Sequence, residues 1–201
     1  VTKHSPSGEI LLELGVRDYA EVTVTPHGEH GLPFNSPTGV AIDSSGDIFV
    51  SDGYGNRRVH RFSETGELKL SWGTPGTGPG EFALLHKVGI DSMDRVLICD
   101  RENHRIQRFD LDGNFIDFWA DVEAPGDTYF DGKGLVYVVE QGGGNGVSIW
   151  TEDGDMITRW RGNAEACEAA HGCWVDSMGN IYVAEIGEPG QGQRVRKFVK
   201  L

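Results

Sequence analysis

The stretch TGVAIDSSGDIFVSDGYGNRRVHRFSETGELKLSWG, residues 38–73, contains four short apolar runs separated by turn residues. Each run has the length of an ordinary β-strand. Gly, Asn, Asp and Ser cluster between the runs, as they do in tight turns that join antiparallel strands. This stretch therefore predicts one antiparallel sheet of four strands, which we name A to D in chain order.

The same plan returns along the rest of the chain. The second unit reads HKVGID (86–91), RVLICD (95–100), RIQRF (105–109) and NFIDFW (114–119). The third reads GDTYFD (126–131), LVYVVE (135–140), GVSIW (146–150) and DMITRW (155–160). The fourth reads HGCWVD (171–176), NIYVAE (180–185) and RVRKF (194–198), without a D run. Each A run ends on an aspartate: Asp43, Asp91, Asp131 and Asp176.

A repeat of about 40 residues with four strands is typical of a β-propeller. We therefore expect an all-β propeller, one domain over residues 1–201, with blades at 34–73, 82–121, 124–161 and 169–201. One such sheet cannot cover both of its faces, so the blades must stack around a channel with strand A innermost. Apolar B-strand residues should fill the spaces between blades: Val50, Ile98, Val138 and Val183. The D strands supply tryptophans as packing anchors: Trp72, Trp119 and Trp160.

The two ends of the chain leave the size of the ring open. Residues 1–16 predict a C–turn–D hairpin, and its second strand could supply the D strand that the fourth unit lacks. That pairing would close a four-bladed ring and hide an open sheet edge. Alternatively, these blades form part of a larger, six-bladed ring whose first blades are absent. A second copy of the chain could then supply the missing blades.

Composition excludes some partners. The net charge is −13 at pH 7, from 31 acidic against 18 basic residues, which repels phosphate backbones and argues against nucleic acid. No apolar stretch is long enough to predict a membrane span. The sequence shows no signal peptide and begins with Val1, so we expect a mature form or an excised fragment. Secretion or a periplasmic location stays open.

The three cysteines do not decide between a disulfide, a metal site and free thiols. Cys99 lies in an apolar run, and we expect it to be buried. Cys167 and Cys173 bracket a histidine and could form a disulfide, bind metal or stay free. His27 and His30 fall in a polar segment, residues 17–33, that we expect to be a solvated loop.

Two histidines occupy the same register in alternate blades. His86 is five residues before Asp91, and His171 is five residues before Asp176, so both should lie at the start of the innermost strand. Thr38 and Gly126 hold this position in the other blades. Two imidazoles at one height in a narrow channel predict a pair of metal ligands, with zinc ahead of other metals. The alternative is two channel-lining histidines bonded to water or backbone.

The loops between strands B and C should reach the same mouth of the channel. Tyr54 lies in the first of these loops and Arg101 in the second, where a phenol and a guanidinium could act as a base and an anion clamp. In the same loops, the pairs Asp52 with Arg58 and Asp100 with Arg105 are expected to brace the backbone rather than to join the site.

The segments DGYGNRRVHRF and DRENHRIQRF, with repeats that end in WG, resemble the NHL-repeat propellers and, within them, the peptidyl-α-hydroxyglycine α-amidating lyases. The likeness covers nearly the whole chain and is strongest over residues 34–110. It implies a six-bladed ring, zinc held by three histidines, a tyrosine base and substrate-positioning arginines. His86 and His171 match two zinc histidines, Tyr54 the tyrosine and Arg101 one arginine. The implied reaction cleaves a peptidyl-α-hydroxyglycine into a peptide amide and glyoxylate.

The chain also departs from that family. The third zinc histidine and another arginine would belong to a blade before Val1. The positions of a family disulfide are Asn35 and Gly55, and Gly172 replaces an acidic residue of a structural calcium site. The resemblance therefore implies structural calcium as a second cofactor, and the sequence leaves open whether calcium lies on the channel axis. His4, His27, His30 or a carboxylate could substitute for the missing ligand, although no spacing argues for it. The sequence therefore leaves three hypotheses: a zinc-dependent lyase, a propeller that binds a peptide or small molecule at its mouth without catalysis, and a self-associating scaffold.

Overall fold

A computed structural model of the chain describes residues 1–15, 33–143, 145–161, 169–186 and 194–200. Cys167, His27 and His30 lie outside these residues, so the expectations about them stay open. None of the helices in the described ranges is long and apolar enough to cross a membrane.

The described residues form an all-β propeller arrangement of four blades, as the repeats predict. Blade 1 contains β3 (Gly39–Ile42), β4 (Ile48–Asp52), β5 (Arg58–Phe62) and β6 (Leu68–Trp72). Blade 2 contains β9 (Leu85–Ile90), β10 (Val96–Asp100), β11 (Arg105–Phe109) and β12 (Phe115–Trp119). Blade 3 contains β13 (Pro125–Phe130), β14 (Leu135–Glu140), β15 (Gly146–Thr151) and β16 (Met156–Arg161). Blade 4 contains β17 (Ala170–Val175), β18 (Ile181–Glu185) and β19 (Arg194–Phe198).

Smaller elements complete the fold. β1 (Thr2–His4) and β2 (Ile10–Glu13) form the expected N-terminal hairpin, and β7 (Thr74–Pro75) pairs in parallel with β8 (Glu81–Phe82). Each blade keeps its strands in sequence order, antiparallel throughout. The innermost strands β3, β9, β13 and β17 lie beside one another in that order, which places every A strand along the channel.

The core lies between the blades. Of the predicted B-strand residues, Val50, Ile98, Val138 and Val183 are fully buried, which confirms their place between neighbouring sheets. The D-strand tryptophans reach across to the C strand of the next blade. Trp72 meets Phe109 with ring centroids 5.9 Å apart, and Trp119 stacks on Trp150 at 5.1 Å. These contacts connect neighbouring blades, and the buried residues form a separate hydrophobic cluster at each interface.

The expectation that β2 closes a four-bladed ring is wrong for the described residues. β2 pairs with β1, whereas β19 is the edge of a three-stranded sheet. In the described residues β2 forms a separate two-stranded sheet with β1 and shares no ladder with β19. Leu12 and Leu14 instead pack on Ile48, Val50 and Phe62 of blade 1. The hairpin thus covers the face of blade 1 that is turned away from blade 2.

Candidate functional site

Backbone geometry brings all four predicted site residues to one mouth of the channel. His86 starts β9 and His171 starts β17, and their ring centroids lie 4.9 Å apart in an edge-to-face arrangement. The ring of Tyr54 lies 6.2 Å from that of His86. Tyr54, Arg101 and His171 line one cavity of about 300 Å³. The four side chains therefore lie together at one mouth, and their assignment as a site and the chemical role of each stay predictions.

A glycine of blade 3 lies between the strands that carry the two histidines. Gly126 occupies the equivalent position on β13, between β9 and β17, and has no side chain to separate the rings. A Cβ there would lie 2.7 Å from the side-chain amide of Gln141, so the space is already filled from the other side. The carbonyl of Gly126 also lies 2.6 Å from Nδ1 of His86, which fits an N–H···O hydrogen bond.

That hydrogen bond sets the chemistry of His86. A proton on Nδ1 leaves the Nε2 lone pair free, which is the form of imidazole that binds metals. Burial lowers the pKa of His86 below its usual value of 6.5, the Gly126 carbonyl opposes that change, and Arg101 and His171 lower it further. The side chain is therefore held neutral, as a metal ligand must be.

Two loops carry Tyr54 and Arg101. Gly53 packs so closely on β9 that a Cβ would overlap the backbone carbonyl of Leu85, which fixes the loop that presents Tyr54. The phenol ring itself is 44 % exposed. Arg101 begins a short 3-10 turn, and its backbone N–H donates to Leu84 at 2.9 Å. Both side chains are thus positioned by backbone contacts to the start of blade 2.

Gln141 is a site residue that the sequence analysis missed. Its Oε1 accepts a 3.3 Å hydrogen bond from Nη1 of Arg101, and its Nε2 donates to the carbonyl of Ala170 at 3.3 Å. It therefore connects the guanidinium to the strand that carries His171. A signal was present, because the residue after the buried carboxylate that ends each B strand occupies one register: Gly53, Arg101, Gln141 and Ile186. The last three of these line the cavity.

The carboxylates that end the B strands brace the loops. Asp100 accepts from Nε of Arg105 at 2.9 Å, as expected. The expected partner of Asp52 is wrong: its oxygens accept from the backbone of Asn35 at 2.8 and 3.0 Å and from the Asn56 amide, and they lie 3.5 Å from Nε2 of His60. Arg58 is opposite Asp52 in the β4–β5 ladder, but its side chain is not the group that bonds the carboxylate.

The two positions of the lost family disulfide are still neighbours. The backbone N–H of Gly55 donates to the carbonyl of Asn35 at 3.0 Å, and a Cβ on Gly55 would overlap the Asn35 side chain. A close backbone contact therefore joins the loop to the start of blade 1 without a covalent bond.

The side chains that could bind a metal form only part of a ligand set at the mouth. Among the described residues, no group of three or more His, Cys, Asp or Glu side chains is arranged to hold a metal ion. His4 lies away on the hairpin, where its ring bonds to Thr2 and Gly8. Cys99 is buried, Cys173 is half-buried, and both are free thiols. Burial raises the pKa of the Cys173 thiol well above its usual value, which disfavours the thiolate that a metal would need.

A larger cavity of about 900 Å³ opens at the seam of blades 3 and 4 and is lined by aromatic and aliphatic side chains, including Trp160 and Phe198. In the earlier interfaces, the turn between strands C and D covers the equivalent tryptophan: Gly113 lies against Trp72, and Gly154 against Trp119. The large cavity is therefore an uncovered packing seam. The smaller cavity holds the candidate site, because groups able to ligate a metal or move a proton converge there.

Comparison with known proteins agrees with this fold. Residues 35–120 match a family model described as a 6-bladed beta-propeller. The chain is 30% identical, over its full length and 59% of the relative, to NHL repeat-containing protein 3 of Homo sapiens. Over 39% of the chain and 16% of the relative, it is 38% identical to peptidyl-alpha-hydroxyglycine alpha-amidating lyase 1 of Drosophila melanogaster. The chain thus spans little more than half of the one relative and a smaller part of the other.

Among solved structures, a streptogramin B lyase matches with a TM-score of 0.62 and 15% identity, over 82% of this chain and 55% of the other. At that identity, the match shows the fold alone. The repeats, the blade topology and the relatives agree, and the chain belongs to the NHL-repeat β-propeller family.

Proposed function

We propose that the channel mouth is a zinc-binding site of the amidating-lyase type, which takes a peptidyl-α-hydroxyglycine as substrate. The observation that carries the proposal is the contact between the two imidazoles, 4.9 Å apart at their centroids, with Tyr54 beside them. The part of the chain that is described supplies two nitrogen ligands, and a third ligand would come from outside it.

The residues present fit zinc as part of its ligand set. Zinc takes neutral imidazole nitrogens, and catalytic sites commonly combine three protein ligands with an open position. The Gly126 carbonyl turns Nε2 of His86 away from the backbone and into the channel. A zinc ion held there would act as a Lewis acid toward an oxygen of the substrate.

The reaction needs groups that move a proton and hold an anion. The C–N bond of the hydroxyglycine breaks, its hydroxyl loses a proton as the C=O of glyoxylate forms, and the amide nitrogen gains a proton. Tyr54 lies next to His86, where its oxygen, as the phenolate, could accept the hydroxyl proton. Arg101 lines the same cavity, and its planar guanidinium can bind the substrate carboxylate through two hydrogen bonds.

Metal binding is the first test. We expect wild-type protein to bind zinc, and His86→Ala and His171→Ala to weaken binding at least about tenfold, measured by isothermal titration calorimetry. His4→Ala is the matched control, because this exposed histidine lies on the hairpin and should leave zinc affinity unchanged. Zinc affinity that is the same in all four proteins would overturn the proposal.

Turnover is the second test. With zinc bound, an N-acyl-α-hydroxyglycine should release glyoxylate, and Tyr54→Phe should lower kcat by about 100-fold or more while zinc binding stays intact. Arg101→Lys should mainly raise KM, since it keeps the charge but loses the paired hydrogen bonds. Zinc binding without glyoxylate release would sink the lyase assignment.

A non-catalytic binding propeller is the second candidate. Two observations favour it: a human relative that matches the full chain is named for its repeats alone, and within the described ranges the metal-binding cluster stops at two histidines. In that case the mouth would bind a peptide or small molecule with the same affinity with or without zinc.

A further inference from the structure

A second layer of residues lies directly below the histidine pair. The positions that follow Thr38, His86, Gly126 and His171 are Gly39, Lys87, Asp127 and Gly172. All of them belong to the innermost strands, one in each blade. This layer therefore combines one cation, one anion and two glycines around the channel.

The two charged residues bond to each other between the neighbouring strands β9 and β13. Nζ of Lys87 lies 3.1 Å from Oδ1 of Asp127, with side-chain exposures of 32% and 15%. The other oxygen of Asp127 accepts a 3.1 Å hydrogen bond from the backbone N–H of Cys173. The pair thus connects strands of blades 2, 3 and 4.

The glycines complete the layer. A Cβ on Gly39 would lie 3.1 Å from Cδ of Lys87, and a Cβ on Gly172 would lie 3.2 Å from Oδ2 of Asp127. Larger residues at either position would push on the ion pair. The Lys87 stem and the Asp127 carboxylate therefore fill the space that the two glycines leave, and the layer touches all four innermost strands.

This layer does not fit calcium, which the resemblance to amidating lyases had suggested. Calcium takes six to eight oxygen ligands, usually including several carboxylates. Gly172 offers no side chain, and Asp127 is the one carboxylate among these four positions. Both of its oxygens are already bonded, one of them to an ammonium group that would repel a second cation.

We infer that the Lys87 ammonium is the resident cation of this layer, and that it joins the inner strands through Asp127 in place of a bound divalent ion. A partly buried pair is screened less than a surface pair, so the attraction is retained at physiological salt. The inference concerns the layer below the histidines and does not depend on zinc or on catalysis.

Calcium dependence of thermal stability tests the inference. A calcium site filled at a hundred times its Kd would raise Tm by about 5 to 10 °C in a chain of this size. We expect instead that the Tm of the wild-type protein, followed by circular dichroism, is equal within about 1 °C in EDTA and in CaCl2. A calcium-dependent rise of several degrees would overturn the inference.

A double-mutant cycle tests the pair itself. Lys87→Met should lower Tm by about 5 °C because it leaves Asp127 without its counter-ion, and Lys87→Met with Asp127→Asn should recover about half of that loss. Lys69→Met is the matched control: it removes a lysine bonded to the buried Asp47 at 2.7 Å, far from this layer, so its effect should add to that of Asp127→Asn.

Additive effects of Lys87→Met and Asp127→Asn would show that the two residues do not act as a pair. If Lys87→Met does not fold, Lys87→Arg keeps the cation and should retain the calcium-independent Tm. A calcium-dependent Tm in Lys87→Arg would also contradict the inference.

Discussion

The two ends of the blades are held by different kinds of residues. At the turn between strands A and B, every blade uses the same device: one Asp oxygen accepts two backbone hydrogen bonds, from residues two and four positions later, at 2.7–3.1 Å. At the opposite mouth, the four equivalent positions carry three different residue types: Thr38, His86, Gly126 and His171. Repetition thus stabilises each sheet separately, and variation between blades makes the site.

Asp91 tests the turn end with the largest expected effect. Its side chain is buried, accepts from two backbone N–H groups and binds Nε of Arg95 at 2.6 Å. We expect Asp91→Ala to lower the free energy of unfolding by about 4 kcal/mol, since it removes two backbone hydrogen bonds and the buried counter-ion of Arg95, which keeps only the exposed Asp153 and the Glu152 carbonyl. Asp131→Ala, which loses only backbone hydrogen bonds, should cost about 1 to 2 kcal/mol. Urea denaturation measures both, and equal losses would contradict this account.

The expected cost of replacing a glycine by alanine also differs between the two ends. Gly53→Ala at the mouth should cost about 3 kcal/mol, because the new methyl group would overlap the carbonyl of Leu85. Gly132, in a turn of blade 3, has φ +69° and nothing within 4 Å of a Cβ, so Gly132→Ala should cost about 1 kcal/mol from the backbone angle alone. A larger loss from Gly132→Ala than from Gly53→Ala in urea denaturation would reverse the comparison.

Low pH should lower the stability that the turns between strands A and B contribute to the fold. Burial acts to raise the pKa of Asp47, but hydrogen bonds from Lys69 and Arg61 outweigh it and hold that pKa below its usual value of 3.8. Because the folded state binds the proton less readily than the unfolded state, this contribution is complete above pH 3.8 and is lost as the pH falls further. Asp47→Asn should therefore flatten the loss of Tm below about pH 4. A profile parallel to that of wild type would contradict the expectation.

Tyr54 gives the smallest expected change in stability. Its ring is 44 % exposed, so Tyr54→Phe should alter the free energy of unfolding by less than about 0.5 kcal/mol. The same variant is the one expected to lose turnover. A loss of several kcal/mol in urea would mean that Tyr54 belongs to the folding core rather than to the mouth.

The repeats made the fold predictable, because each apolar run and each turn aspartate recurs at a matching position. They also predicted the meeting of His86 and His171, since equal register on innermost strands means equal height in the channel. Contacts between residues of different blades were harder to foresee. Lys87 and Asp127 are 40 positions apart in the chain, and only the distance between β9 and β13 shows that their side chains meet.

Two predictions were wrong. Arg58 and His60 are both spaced to reach Asp52, because alternate residues of a strand share one face, and the spacing could not choose between them. The proposed ring closure failed because the β1–β2 hairpin packs on blade 1 through Leu12 and Leu14 and does not pair with β19. In both cases strand spacing indicates candidates for an interaction, and contacts between distant parts of the chain select among them.

The contact between His86 and His171 spans a whole intervening blade across the bare backbone of Gly126. A tilt of blade 2 relative to blade 4 that leaves every strand paired would change the distance between the two imidazoles. The distance between the two imidazoles therefore depends on the angle between blades 2 and 4. A spectroscopic probe at this point would report changes in that angle while the protein stays folded.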